Sequence, residues 1–571
     1  MAAGLSGTAN VGTQPLANAT IRLWQVGTAG YGTLGTLAGS TTSGPGGHWT
    51  ISTINCNPAN IDVYVIARSR DGEGPVRILA FLGPCNALPS DVVINEVTSV
   101  AAIWALQRFM LIGNGAIGAP ASNATGLANA GLNALNLADV TTGTTPGSAL
   151  PAGATTPTDE INTLADIMAS CDVTPNPPLS AACTSLFTAS LVPGQGGSSD
   201  SLKAMLYIAL FPVNNVSGLF ALAGASPPFT PTLSAAPTDW SIVVNYVNGG
   251  LNTPAQLAID ASGNVWVANA LGNSLSEFNA AGMPLSASGF SGGGLNLPVA
   301  VAINSLGDVW VANQGANSLS EFGPDGTVIS PVGGFTGGGL ELTQFMAIDS
   351  TNKVWVANCA DFCDSSGVAS NLSVFSPAGV ALTPTTGILG GGLNGATGIA
   401  LDQTGNVWVA NQGNNSLSEF NALGMPLSPS TGFTGGGLFG PVYVAVSSKN
   451  FIWAADQRGN SLTAFADNGS PVTGNAGFSG GGINAPLGVA LDGSRNKWTT
   501  NVAGVGELNA TNDVVSPTNG FVDPNSNAPF SLAIDASGNI WVTNTGGNSL
   551  SQFLGLAAPV KTPLIGLPTL P

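Results

Sequence analysis

The chain has 571 residues, of which 44% are hydrophobic and only 7% charged, and it carries a formal net charge of −18 from 30 acidic and 12 basic side chains. At roughly 150 residues per domain this is length for about three or four domains, and high apolar content with little charge excludes an intrinsically disordered chain. The acidic balance excludes a nucleic-acid partner, which would need Lys/Arg clusters against phosphates, and it opposes docking on anionic membranes.

Abundant Gly (78) and Pro (38) favour turns and short strands over long helices. The start, Met1-Ala-Ala-Gly, has no basic segment followed by an apolar run, so no signal peptide is expected in the sequence as given; for an exported protein it reads as a mature start with an added Met. No membrane insertion is expected either. The most apolar segment, Val100 to Ile112, is interrupted by Gln107-Arg108 and falls short of the roughly 18 residues a membrane helix needs. Six Cys form three local pairs: Cys56 with Cys85, Cys171 with Cys183, and Cys359 with Cys363. There is no Cys-x-x-Cys and the sole His is His48, so disulfides are expected rather than zinc, in a secreted, periplasmic or cell-surface protein.

Residues 1–97 predict a small β-sandwich, with strands over Ala19–Trp24, His48–Ile51 and Ile61–Ala67 separated by Gly/Pro/Ser clusters such as Thr42–Gly47. Pro15-Leu-Ala-Asn-Ala-Thr-Ile-Arg-Leu23 followed by Thr41-Thr-Ser-Gly-Pro-Gly-Gly-His-Trp-Thr-Ile51 resembles the carboxypeptidase-regulatory-like (CnaB-like) family, which implies an accessory surface domain. Residues 98–237 predict a small helical domain with a Pro-rich exit. Val100, Ile103, Trp104, Leu106 and Phe109 recur at helical spacing up to Gly113-Asn-Gly115. Further helices are expected over Thr158–Ser170 and Ser199–Leu210, the latter capped by Asp200 and stopped by Pro212.

Residues 238–555 are dominated by an internal repeat, Asp-x-x-Gly-Asn-x-Trp-Val-x-Asn. Its Trp recurs at Trp266, Trp310, Trp355, Trp408, Trp453, Trp498 and Trp541, with spacings of 44, 45, 53, 45, 45 and 43 residues. That is the length of one four-stranded propeller blade, and the long interval holds the Cys359/Cys363 insertion. In the first repeat the strands would be Pro254–Ile259, Val265–Ala268 and Leu275–Phe278, with Phe290–Pro298 leading out of an outer strand. Tyr246–Pro254 matches Phe290–Pro298 position for position, so Trp240–Val247 is an outer strand lacking a blade of its own. Donating it to the last repeat closes a seven-bladed β-propeller. The fold class expected is therefore mainly β, a propeller preceded by a sandwich and a helical domain. A Pro-rich apolar tail, 556–571, follows.

The repeats, exemplified by Gly398-Ile-Ala-Leu-Asp-Gln-Thr-Gly-Asn-Val-Trp-Val-Ala-Asn411 and Asn415-Ser-Leu-Ser-Glu-Phe420, resemble NHL-type propellers, most closely the streptogramin lyase-like branch. That resemblance implies a His acid/base with a Glu and a magnesium ion, but residues 238–555 contain no His, so the catalytic pattern does not carry over. A lactonase-like metal site fares no better. The ring four residues before the turn Asp comprises Gln256, Ala300, Phe345, Gly398, Tyr443, Gly488 and Ser531, with no carboxylate for a divalent cation. The recurring Asp260, Asp349, Asp402, Asp492 and Asp535 are expected to cap turns rather than bind calcium; Glu277, Glu321, Glu419 and the seven Trp are expected to be scaffold.

No catalytic residue, metal ligand or cofactor is assigned. Two groups are candidates for ligand binding: the channel mouth with Gln256, Phe345 and Tyr443, and the amide-rich loops with Asn313, Gln314, Asn411, Gln412 and Asn415. Neutral polar side chains suit an uncharged ligand such as a glycan, whose binding alanine at Asn411, Gln412 and Asn415 should abolish. The expected function is binding or scaffolding by a secreted or cell-surface bacterial protein, with a glycan or another surface protein as partner. The alternatives are a lyase-like or lactonase-like enzyme with a non-standard site, and a subunit of an extracellular assembly that docks its Leu554–Pro571 tail on a neighbour.

Overall fold

The computed structural model describes residues 4–571 apart from 73, 172–179, 225, 226, 360–368 and 566. The chain is mainly β and divides into two compact units, Met1–Val244 with Phe553–Leu556, and Asn245–Gln552 with Ala557–Pro571. Among the described residues no helix is long and apolar enough to cross a membrane.

In the first unit, Leu34–Thr42, Thr20–Val26, Asp62–Arg68 and Arg77–Pro84 form one antiparallel sheet in that order. In a second, Leu5–Val11 runs antiparallel to His48–Ile51 and parallel to Asp91–Ile94. Strand alternation places Trp49 inside and His48 in solvent. Cys56–Cys85 and Cys171–Cys183 are both disulfides; Cys359 is also disulfide-bonded, and Cys363 lies outside the described residues.

The helix Glu96–Leu106 opens with a capping box at Asn95 and every one of its residues is buried. It is shorter than the spacing predicted, giving way to a 3₁₀ turn at Gln107–Phe109. A helix buried all round has no polar face to mark its ends. Thr158–Ala169 and Ser201–Leu210 lie where expected, and Asp200 caps the second by accepting from Lys203 N at 3.0 Å. The Asp200 carboxylate also meets Arg77 at 3.3 Å inside this unit. The helices Ala124–Leu137 and Ala181–Ala189 had no sequence prediction, since Ala, Gly, Asn and Ser give them little periodic contrast.

The second unit repeats one small antiparallel sheet. Pro254–Ile259, Val265–Asn269 and Ser274–Phe278 form the first, and equivalent sheets begin at Pro298, Thr343, Ala396, Pro441, Val489 and Pro529. The first strands pack on one another in chain order, and Pro529–Ile534 packs back on Pro254–Ile259. A full outer strand in every sheet was expected. In the first five sheets it is reduced to isolated bridges such as Leu275 with Phe290 and Phe278 with Pro284, because Pro and Gly interrupt the ladder between them. The last sheet takes Val243–Tyr246 alongside Ser549–Phe553. Tyr246 donates to Gln552 Oε1 at 2.7 Å and stacks on Trp541 at 5.5 Å, the place Phe290 takes beside Trp266.

Each turn Asp does what its spacing predicts. Asp402 Oδ1 accepts from Thr404 N and Asn406 N at 2.8 and 2.9 Å, while Oδ2 takes the Trp408 indole N–H at 3.1 Å. A second latch runs between sheets. Asn313 Nδ2 donates to Ser320 Oγ at 2.8 Å, and Ser320 donates to the Gly293 carbonyl on the exit of the preceding sheet at 2.7 Å. Asn411, Ser418 and Gly391 repeat it at 2.8 and 2.7 Å. Glycine is required there: Gly293 has φ +60°, and a Cβ on the adjacent Gly294 would sit 2.4 Å from Gly334 N.

The fifth sheet departs from this pattern with Asp456 in place of the latch Asn, and burial pushes its carboxyl up to about 8. Unfolded, an Asp ionises near about 3.9, so the folded state holds an extra proton between roughly pH 4 and 8 and loses stability as pH rises through that window. Asp456→Asn removes this dependence. The variant's melting temperature should exceed wild type by more at pH 8.5 than at pH 5; an equal difference at both values would count against the assignment.

Candidate functional site

The first strands surround a channel. Side chains alternate along them, so one register position contributes the channel wall in every sheet. That position is alanine throughout, from Ala258 to Ala533. Ile259, Ile303, Ile348 and their equivalents follow toward the Asp-turn end, and the space between the strands is about 190 Å³.

At the opposite end stand Gln256, Phe345 and Tyr443, which the structure brings together. Gln256 Nε2 donates to Tyr443 Oη at 3.0 Å, and its Oε1 accepts from Val301 N at 3.1 Å. Phe345 meets Tyr443 edge-on at 5.0 Å and stacks with Phe530 at 6.4 Å. Gly398 permits this, since a Cβ there would lie 2.5 Å from Tyr443 Cα. Burial raises the Tyr443 hydroxyl above its ordinary range, with the Gln256 bond opposing. The three residues thus form a small aromatic and amide plug across the channel. Phe530 belongs to it as well; it sits one position out of the predicted ring and was missed for that reason.

The amide loops lie at this same end, because Pro254 pairs with Asn269 and its equivalents do likewise. They split into two classes. Asn313 and Asn411 are fully buried and spend both polar ends on the latch: Asn411 Oδ1 accepts from Asn394 N at 3.3 Å while Nδ2 holds Ser416 and Ser418. Asn415 is half-buried at φ +55° and accepts from Gly440 N at 2.7 Å. Replacing Asn411 or Asn415 therefore perturbs the joint between sheets. Gln314 and Gln412 are half-buried, with Gln412 donating to Gln457 Oε1 at 3.0 Å.

The Asp-turn end is covered by the chain's own tail. Val560, Thr562, Pro563, Leu564 and Pro568 line the channel there. Ala557 N bonds Gly538 O at 2.9 Å, Val560 N bonds Asp535 O at 3.0 Å, and Ala558 N bonds Asp492 Oδ2 at 3.0 Å. The tail is extended, as its prolines predict, but it lies against its own ring where docking on a neighbour is the expectation from sequence.

As far as the described residues go, the channel lining contains no Asp, Glu, His, Lys or Arg. Among the described residues, no group of three or more His, Cys, Asp or Glu side chains is placed to hold a metal ion. The repeated Glu277, Glu321 and Glu419 sit opposite Trp266, Trp310 and Trp408, and burial pushes each up to about 7, helped by Asp260, Asp308 and Asp402 respectively. Asn264 and Asn406 bond Glu277 and Glu419 at 3.1 and 2.8 Å.

No family model matches the chain, and no curated protein matches it. Solved structures to which it is similar include a streptogramin B lyase, at 16% identity over 54% of this chain and 93% of that one, with a TM-score of 0.40. They also include a gluconolactonase from Xanthomonas campestris, at 12% identity over 55% and 89%, TM-score 0.35. The extracellular domain of a putative one-component system from B. thetaiotaomicron matches at 14% identity over 57% and 47%, TM-score 0.39.

Ending the chain after Leu556 should uncover the channel. Losing the buried Val560 and the backbone bonds of the tail is expected to cost about 2–4 kcal/mol, seen as a lower melting temperature with increased binding of an apolar fluorescent dye. Unchanged melting and dye binding would show that the tail does not seal the ring.

Proposed function

We propose that residues 238–555 form a seven-bladed β-propeller that binds a neutral polar ligand, with a glycan as the leading class. The observation that carries this reading is the end of the ring opposite the tail, where Gln256, Phe345, Tyr443 and Phe530 form an uncharged aromatic and amide centre. Half-buried Gln314, Gln412 and Gln457 stand in the loops around it. Aromatic faces suit the apolar side of a sugar ring and amides suit its hydroxyls. Among the described residues the channel lining holds no Asp, Glu, His, Lys or Arg, which favours binding over acid/base catalysis there.

Before the ring, residues 1–97 would be an accessory CnaB-like sandwich and 98–237 a helical domain, with 556–571 as the tail. The disulfides Cys56–Cys85 and Cys171–Cys183 favour an oxidising location, whether secreted, periplasmic or cell-surface.

The test is a printed array of neutral glycans probed with the full chain. Saturable binding to at least one glycan is expected. It should be lost in Tyr443→Ala and in the Gln314→Ala/Gln412→Ala pair while melting temperature stays within a few degrees for the pair. A blank array, or binding indifferent to these variants, would overturn the proposal.

A further inference from the structure

The fifth sheet differs from its sisters in a way that concentrates charge. Ser447 stands where four other sheets have the turn Asp that holds the Trp indole: Asp349, Asp402, Asp492 and Asp535 accept from Trp355, Trp408, Trp498 and Trp541 at 3.0–3.2 Å. Ser447 is too short for that role and its hydroxyl instead accepts from Phe451 N at 3.0 Å. Trp453 Nε1 is consequently buried with no hydrogen-bond partner among the described residues. Trp266 and Trp310 also lack a partner, yet their sheets keep the acids Glu277 and Glu321. In the fifth sheet Ala464 occupies that Glu position, so both carboxylates are gone.

Cations replace them. Of the 12 basic residues in the chain, Lys449, Arg495 and Lys497 all border one groove of about 140 Å³ between the fifth and sixth sheets. Lys497 takes a position that is Val in the first four repeats. Its ammonium lies 4.7 Å from the Trp453 ring centroid and donates to Asn509 O at 2.8 Å. Burial, aided by Arg495, lowers Lys497 to about 8, with Asp492 opposing. The acids nearby are engaged: Asp492 caps its own turn, and Asp467 accepts from Asn450. Phe451, Val472 and Phe478 supply an apolar wall.

We propose that this groove is a binding site for a small organic carboxylate with a flat apolar body. The ligand carboxylate takes the place of the missing turn Asp, accepting the Trp453 indole N–H between Lys449 and Arg495. The body lies against Phe451, Val472 and Phe478. The volume agrees with one ring, since a cavity of about 150 Å³ accommodates benzene. The site is independent of the uncharged centre proposed for the glycan.

4-Fluorobenzoate is the probe, followed on the full chain by fluorine NMR with the neutral 4-fluorobenzamide as control. The benzoate should bind saturably and at least about tenfold more tightly than the amide, as expected for a charge-assisted hydrogen bond. Ser447→Asp restores the sister carboxylate; it should lose benzoate binding by about tenfold or more while melting no lower than wild type. Lys449→Ser with Arg495→Gly, the residue types found in sister turns, should weaken benzoate and leave the amide unaffected. Equal binding of benzoate and benzamide, or undiminished benzoate binding in both variants, would overturn the proposal.

Discussion

One polar relay recurs at the joints of the ring: a buried Asn amide bonds a Ser hydroxyl, which bonds a glycine carbonyl on the preceding segment. In Asn313–Ser320–Gly293 and Asn411–Ser418–Gly391 the links are 2.7–2.8 Å and the Asn and Ser are sealed from water. Each such bond contributes only about 1 kcal/mol net, but an unpaired group left in its place would cost about 1–3 kcal/mol. The relay therefore specifies where the first, second and fourth sheets sit on the chain that precedes them. The Trp indole and turn Asp add the same specification within a sheet, and the stack of Trp on Phe, as for Trp408 and Phe433 at 5.6 Å, supplies apolar contact behind it.

Sequence conspicuousness and function part company here. The amides that recur most visibly, Asn313 and Asn411, are scaffold, whereas the positions proposed for ligand binding are those where the repeat is irregular. Gln256, Phe345 and Tyr443 share one register position that is Ala or Gly in several sheets. Ser447, Ala464 and Lys497 likewise break a pattern their sisters keep. In a repeat architecture a register position kept from sheet to sheet answers to packing against neighbours, so both proposals rest on departures from it.

Much of the second unit was legible beforehand. Strand positions such as Pro254–Ile259, the capping by Asp402 and the pairing of the orphan strand with the end of the chain all follow from local spacing and from the match of Tyr246–Pro254 to Phe290–Pro298. Less of the first unit was. The Ala- and Asn-rich helix Ala124–Leu137 has too little polar contrast, and Glu96–Leu106 is buried on every side. The outer strands shrank to bridges because ladder formation depends on Pro and Gly placement over a few residues, beyond what a repeat length conveys.

By itself the sequence determined what short-range stereochemistry decides: the repeat and its turns, the Cys56–Cys85 and Cys171–Cys183 pairs, and the lack of carboxylates in the channel-mouth ring. Only the tertiary structure decided which amides are buried, that Gln256 reaches Tyr443 across 187 positions, and that the tail lines the channel of its own chain. It also decided that Lys449 comes to border the same groove as Arg495 and Lys497, beside an indole N–H with no hydrogen-bond partner among the described residues. Those outcomes turn on the distance between side chains far apart in sequence, which closure of the ring sets and local pattern does not.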